Sequence, residues 1–250
     1  MIVSAGVARQ TPFASRSWQE DSRLRIGAAD RAARLTSWVR GICLHTTQGR
    51  YPQPLIPGSG TPGSALANVT YWNRSPDYAA THLLIDQDGT VCQTADLVTE
   101  QCWHATSVNP VSVGIEVCQG SDGRLYQQQV TVAVALCDWL TELLGIQRQI
   151  PQAYGGKPLQ RLVDGGKDVV GVYGHRDQTS KRGRGDPGDW LMEALLCAGY
   201  ERYDLNAGAD LAEWKVRQAA LGLAQDGIPG PRTVAALKAA GHPDGIWVKR

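Results

Sequence analysis

The chain has 250 residues, with 25 Lys and Arg against 24 Asp and Glu and a formal net charge of +1. So even a balance leaves no electrostatic footprint for nucleic acid or an anionic membrane surface, and no apolar run reaches the ~20 residues of a membrane span. A hydrophobic fraction of 42% and a charged fraction of 20% are those of a globular protein, long enough for one α/β domain of ordinary size and a small appendage.

Residues 1–37 are polar and weakly patterned, an N-terminal extension with one short helix expected near GAADRAARL. The opening MIVSAGVARQTPFASR lacks a basic region followed by a true apolar stretch, so no signal peptide is expected. WVRGICLHTT, Trp38–Thr47, reads as a strand ending at a histidine, followed by a long loop rich in Pro, Gly and Ser. SALANVTYWNR has a helical pattern, and THLLIDQDGTVCQTA is a hairpin around an Asp-Gly turn. PVSVGIEVCQG is a further strand. QQQVTVAVALCDWLTELLG is an amphipathic helix with Val130, Val134, Cys137 and Leu140 or Thr141 near one stripe, ended by Gly145. DVVGVYGH is a strand and DWLMEALLCAG a helix ended by Gly199. The alternation predicts an α/β fold, a mixed central sheet flanked by helices. YERYDLNAGAD then reads as a linker. LAEWKVRQAALGL and PRTVAALKAAG are two short helices that make a small C-terminal helical module.

Six cysteines could make three disulfides, but Cys43, Cys92 and Cys118 fall within strand patterns and Cys137 and Cys197 on apolar helix faces. Only Cys102 falls in an expected loop. That is the distribution of buried free thiols, which behave as small hydrophobes. It suits folding in a reducing cytoplasm.

Four of the five histidines, His45, His82, His104 and His175, stand at strand ends or in motif-like loops. The period of two puts Cys43 and His45 on one strand face. His175 falls at the C-terminal mouth of its own strand, the edge where open α/β sheets build sites. The loop after His175 returns to a helix start at Asp186, near the same edge. Two imidazoles and a carboxylate are a candidate zinc site with a fourth position open for water, which such an ion makes nucleophilic near neutral pH. Glu116, within the apolar VSVGIEVC, is costly to bury without a task. It is either on a water-facing edge strand or a general base.

Taken in order, GICLHTTQG, ATHLLIDQDGTVCQ, CWHAT, VSVGIEV, YGHRD and RGDPG resemble the zinc-dependent N-acetylmuramoyl-L-alanine amidases, a family related to peptidoglycan recognition proteins. The likeness spans about Trp38 to Gly199. It implies a catalytic domain over 38–200 that cleaves the amide between N-acetylmuramic acid and the L-alanine of the stem peptide in bacterial peptidoglycan. It implies Zn²⁺ as cofactor, with His45, His175 and Asp186 as ligands and Glu116 as catalytic acid/base. His104 and Trp103 of the WHA motif, with His82 and Lys181, would lie on the substrate side. The sequence departs from the family at Arg184, where many relatives carry a lysine that steadies the oxyanion. A guanidinium can stabilise that charge without giving up its proton, and Lys181 is the loop's other candidate.

The stretch WKVRQAALGLAQDGIPGPRTVAALKAAG resembles part of a peptidoglycan-binding repeat, which implies a wall-binding module at 209–250. Together the likenesses imply a monomeric phage endolysin or other lytic enzyme. It would be made in the cytoplasm and act on the cell wall, with no nucleic-acid or membrane partner. The alternatives are a non-catalytic peptidoglycan receptor and a cytoplasmic muropeptide-recycling amidase.

Overall fold

A computed structural model of the chain describes residues 18–19, 25–34, 39–49, 55–76, 79–152, 170–178, 182, 185–204, 211–225 and 231–241. In chain order the strands are β1 (Trp18–Gln19), β2 (Arg31–Ala33), β3 (Gly41–Thr46), β4 (Leu83–Ile85), β5 (Val91–Gln93), β6 (Glu100–Cys102), β7 (Ser112–Val117), β8 (Gln149–Gln152), β9 (Gly171–Gly174) and β10 (Glu201–Asp204). The α-helices are α1 (Ser64–Trp72), α2 (Gln127–Leu144), α3 (His175–Gln178), α4 (Asp189–Cys197), α5 (Leu211–Ala220) and α6 (Pro231–Ala239).

The main sheet runs β1-β5-β4-β7-β3-β9. Only the β4–β5 hairpin is antiparallel; the other pairings are parallel. The expected class, a mixed sheet flanked by helices, is what the chain forms. Its central strands are buried on both faces, as parallel strands covered by helices are. Alternate residues therefore feed two cores. Ile42, Leu44, Leu83, Ile85, Val113, Ile115 and Val117 join α2 and α4 on one side. Leu84, Cys92 and Cys118 join Ala65, Val69 and Trp72 of α1 on the other.

Capping fixes the helix starts and stops. Asp86, in the turn of the hairpin, accepts hydrogen bonds from the Gly63 and Ser64 amides at 2.7 and 3.1 Å, so it satisfies the open N-terminus of α1 from another part of the chain. Gln129 holds the first turn of α2, accepting from the Tyr126 amide at 3.0 Å and donating to the Cys118 carbonyl at 2.7 Å. Gly145 ends α2 at φ 64°, a left-handed cap that glycine takes without strain.

Three expectations change. The segment near residues 27–35 is a 3₁₀ turn, Ala28–Asp30, running into β2, which pairs with β6. Cys102 is accordingly a buried strand residue rather than part of a loop, while Cys197 is exposed on α4. The expected linker after Gly199 begins as β10, which pairs in parallel with β8, a strand the pattern did not reveal. Both belong to two-stranded sheets of three or four residues, too short to show a period. The six cysteines are free, five of them buried. The two C-terminal helices form as expected, and Gln218 Nε2 donates to Thr233 Oγ1 across them at 3.3 Å. No helix among the described residues is long and apolar enough to cross a membrane.

Candidate active site

Strand register assembles the site. β3 pairs with β7 so that His45 stands opposite Glu116. On its other side β3 pairs with β9 through Leu44 and Gly174. The next residues, His45 and His175, therefore emerge side by side, with ring centroids 4.6 Å apart. Parallel pairing makes these three residues neighbours at the C-terminal edge of the sheet, where backbone pairing stops and side chains are free to converge.

Asp186 reaches the same edge from the loop before α4. Its backbone carbonyl accepts from the Arg176 amide at 2.7 Å, and its Oδ1 accepts from the Thr46 amide at 3.1 Å. Thr46 Oγ1 donates to the Gly185 carbonyl. Pro187, joined through a cis peptide, packs so close to Gly174 that a Cβ there would lie 2.5 Å from its Cδ. Gly185, Asp186 and Pro187 are thus pinned to the ends of both β3 and β9.

One donor atom each from His45, His175 and Asp186 lies within 4.8 Å of the other two. His45 Nδ1 is 3.7 Å from Asp186 Oδ1, and His175 Nδ1 is 3.1 Å from Asp186 Oδ2. Despite that short distance His175 Nδ1 makes no aligned hydrogen bond, and it is buried. A buried polar atom without a partner is costly, and a cation between these donors would satisfy it. Two nitrogens and a carboxylate oxygen are a donor set that zinc accepts. Burial, with His175 and His104 close by, pushes the His45 imidazole well below its usual range. It is neutral, the form that binds a metal.

The cleft above these residues has a volume of about 410 Å³. Glu116, His104, Trp103, Tyr71 and Arg182 are among its lining residues. Burial, reinforced by Asp186, pushes the Glu116 carboxyl well above the usual carboxylate range. β7 lies inside the sheet rather than at its edge, so a solvated edge does not explain this residue. Asn109 Oδ1 holds the WHA loop by accepting from the His104 and Ala105 amides at 3.0 and 2.6 Å. Trp103 Nε1 donates to the Ala29 carbonyl at 2.9 Å.

His82 is not at the cleft. It is fully buried behind His104, with ring centroids 5.7 Å apart, and its Nδ1 accepts from the Gly114 amide at 3.0 Å. Lys181 and Arg184 lie outside the described residues.

Three contributors escaped the sequence reading. Arg182 lines the cleft with Nε 3.8 Å from Asp186 Oδ2. It was hidden among the loop's other basic residues. Tyr71, exposed on α1, looked like any surface residue of an amphipathic helix. Arg34 is largely buried and donates to the carbonyls of Leu97, Asn109, Pro110 and Ser112. Nothing in its polar, weakly patterned segment announced that role.

The N-acetylmuramoyl-L-alanine amidase family matches residues 35–189. Among solved structures, similarity extends to a mutant endolysin from Bacillus subtilis, at 19% identity over 68% of this chain and 95% of that one, with a TM-score of 0.43. An endolysin N-acetylmuramoyl-L-alanine amidase from Clostridium intestinale is 15% identical over 74% and 97%, with a TM-score of 0.43. The drosophila peptidoglycan recognition protein SD is 16% identical over 72% and 90%, with a TM-score of 0.44. No curated protein matches. The family match takes in His45, Glu116, His175 and Asp186 along with well over half of the chain, and the chain belongs to the N-acetylmuramoyl-L-alanine amidase family.

Proposed function

We propose that the protein is a zinc-dependent peptidoglycan amidase that cuts between N-acetylmuramic acid and L-alanine, and that it works as an endolysin or similar wall-lytic enzyme. The observation that supports this most is the convergence of His45, His175 and Asp186 donor atoms within 4.8 Å on the floor of a cleft that Glu116 also lines. A zinc ion held by those three residues would supply Lewis acidity toward water and the scissile carbonyl.

Glu116 is the proton carrier. It accepts a proton as water adds to the lactyl carbonyl carbon. It returns that proton to the alanine nitrogen as the C–N bond breaks, leaving a lactyl carboxylic acid and a free amine. Its raised affinity for a proton suits the second half of that cycle. Arg184, or Lys181, steadies the negative charge on the carbonyl oxygen, and Arg182 brings a further cation to the cleft. Trp103 and His104 flank the substrate. Residues 209–250 act as a wall-binding module, which raises avidity for a polymer without new chemistry.

Metal analysis and mass spectrometry of digested sacculi test the reading together. The expected result is about one zinc per chain, lost in His45→Ala, and stem peptides with a new N-terminal alanine. New reducing sugar ends, or full zinc occupancy in His45→Ala, would overturn it.

A further inference from the structure

His45 has a second nitrogen, and it too is engaged. His45 Nε2 lies 3.1 Å from His104 Nδ1, with both side chains buried. Across the His104 ring, Nε2 lies 3.3 Å from Ser112 Oγ, which is in turn 2.7 Å from the Val108 carbonyl. That last contact sets the direction of the others. A carbonyl only accepts, so the one hydroxyl hydrogen of Ser112 goes to Val108. Ser112 Oγ is then the acceptor for His104, and His104 Nε2 must be the N–H. A neutral imidazole has only one N–H, so His104 Nδ1 is a lone pair, and His45 Nε2 must donate to it. His45 Nδ1, the nitrogen 3.7 Å from Asp186 Oδ1, is left as the free lone pair.

We propose that His104 and Ser112 are positioning residues whose relay, His45 to His104 to Ser112 to the Val108 carbonyl, fixes the His45 tautomer that offers Nδ1 to the metal. This rests on the zinc reading above. The neutrality it requires follows from burial: both rings are buried, and taking a charge out of water is costly. The relay also decides between two overlapping donor clusters. Cys43, His45 and His104 form a second group whose donor atoms lie within 4.8 Å of one another. A metal there would have to take a nitrogen of His104, and both of them are engaged, Nδ1 with His45 and Nε2 with Ser112, so it would break the relay. The inference therefore assigns Cys43 no metal.

Chelator competition on the full chain measures the effect. His104→Leu, which has no acceptor, is expected to weaken zinc binding by about 10–100-fold, the usual range for an outer partner of a ligand histidine. His104→Asn, whose side-chain oxygen falls near the lost Nδ1, should recover most of it. Ser112→Ala should weaken binding to a lesser degree. Equal losses in the Leu and Asn variants would overturn the relay in favour of simple packing. A measurement on the unaltered protein keeps the proposal testable if a variant fails to fold. Nitrogen-15 NMR should find the His45 proton on Nε2, with or without zinc, and a proton on Nδ1 would overturn the relay. The metal-free spectrum reads this even if the protein takes up no zinc, which would instead sink the zinc reading. Cobalt loading completes the test. No thiolate charge-transfer band is expected, and its appearance would place the metal on Cys43.

Discussion

The imidazole of His104 rests against Gly114 so closely that a Cβ on that glycine would lie 2.7 Å from His104 Cγ. The neighbouring strand position is empty of side chain because a ring occupies the space. Gly114→Ala must push that ring aside. Overfilling a packed site typically costs about 1–3 kcal/mol, so a lower melting temperature and weaker zinc binding are expected together. A variant that melts and binds zinc like the parent would show that the ring can move freely.

Glu116→Gln keeps the size of the side chain and removes its proton chemistry. It should fold and hold zinc, yet lose roughly 10²–10⁴ in rate, the span for a general acid–base group. Turnover of a soluble muropeptide measures this. A nearly unchanged rate would make Glu116 a structural residue.

The oxyanion role can be divided between two arginines. Arg184→Ala is expected to lower kcat on the order of 10²-fold with little change in KM, as removal of a charge-stabilising donor does. Arg182→Ala is the comparison, because Arg182 lines the cleft. A loss confined to Arg182→Ala would move the role to that residue.

His82 gives the protein an acid limit. Burial, with the Arg34 guanidinium beside it, lowers its pKa from 6.5 to about 3. In the unfolded chain His82 takes up a proton as pH falls through 6.5, whereas in the folded chain it stays neutral until about 3. The unfolded state then holds more protons, and stability falls with pH across that window. The share of this one residue reaches about 2 kcal/mol by pH 5. His82→Asn, which keeps an acceptor for the Gly114 amide, should flatten that limb of a denaturation-against-pH profile. An unchanged slope would mean that His82 is already charged in the fold.

Truncation after Gly208 should spare cleavage of soluble muropeptides and weaken capture by intact sacculi in a pull-down. Equal capture would make the C-terminal helices purely structural. Loss of soluble turnover would remove the two-domain division.

What the sequence made legible was what repeats or punctuates. β3, β7 and β9 showed as apolar runs, the hairpin as an Asp-Gly turn, and α2 as a stripe ended by glycine. His45, Glu116, His175 and Asp186 stood out because each is a polar residue placed where a strand or its exit should be apolar or plain. What stayed hidden depends on contacts between segments far apart in the chain. His82 and His104 look equivalent as letters, yet one is sealed behind the other. Ser112 opens a strand like any small residue, and its role exists only because His104 is carried onto it. β8 and β10 are four residues each and pair across about fifty positions.

The buried guanidinium of Arg34 bears on how such enzymes can exchange parts. It answers four carbonyls from the segments around the WHA turn and the start of β7, while Arg25 and Arg31 grip Glu100 beside it. A seam cut at Trp38 would strip those four carbonyls of the donor they share in the intact chain. Points open to recombination therefore lie upstream of β1, because Trp18 and Gln19 pair with β5 and the Arg25, Arg31 and Arg34 contacts tie the following stretch to β6 and the start of β7.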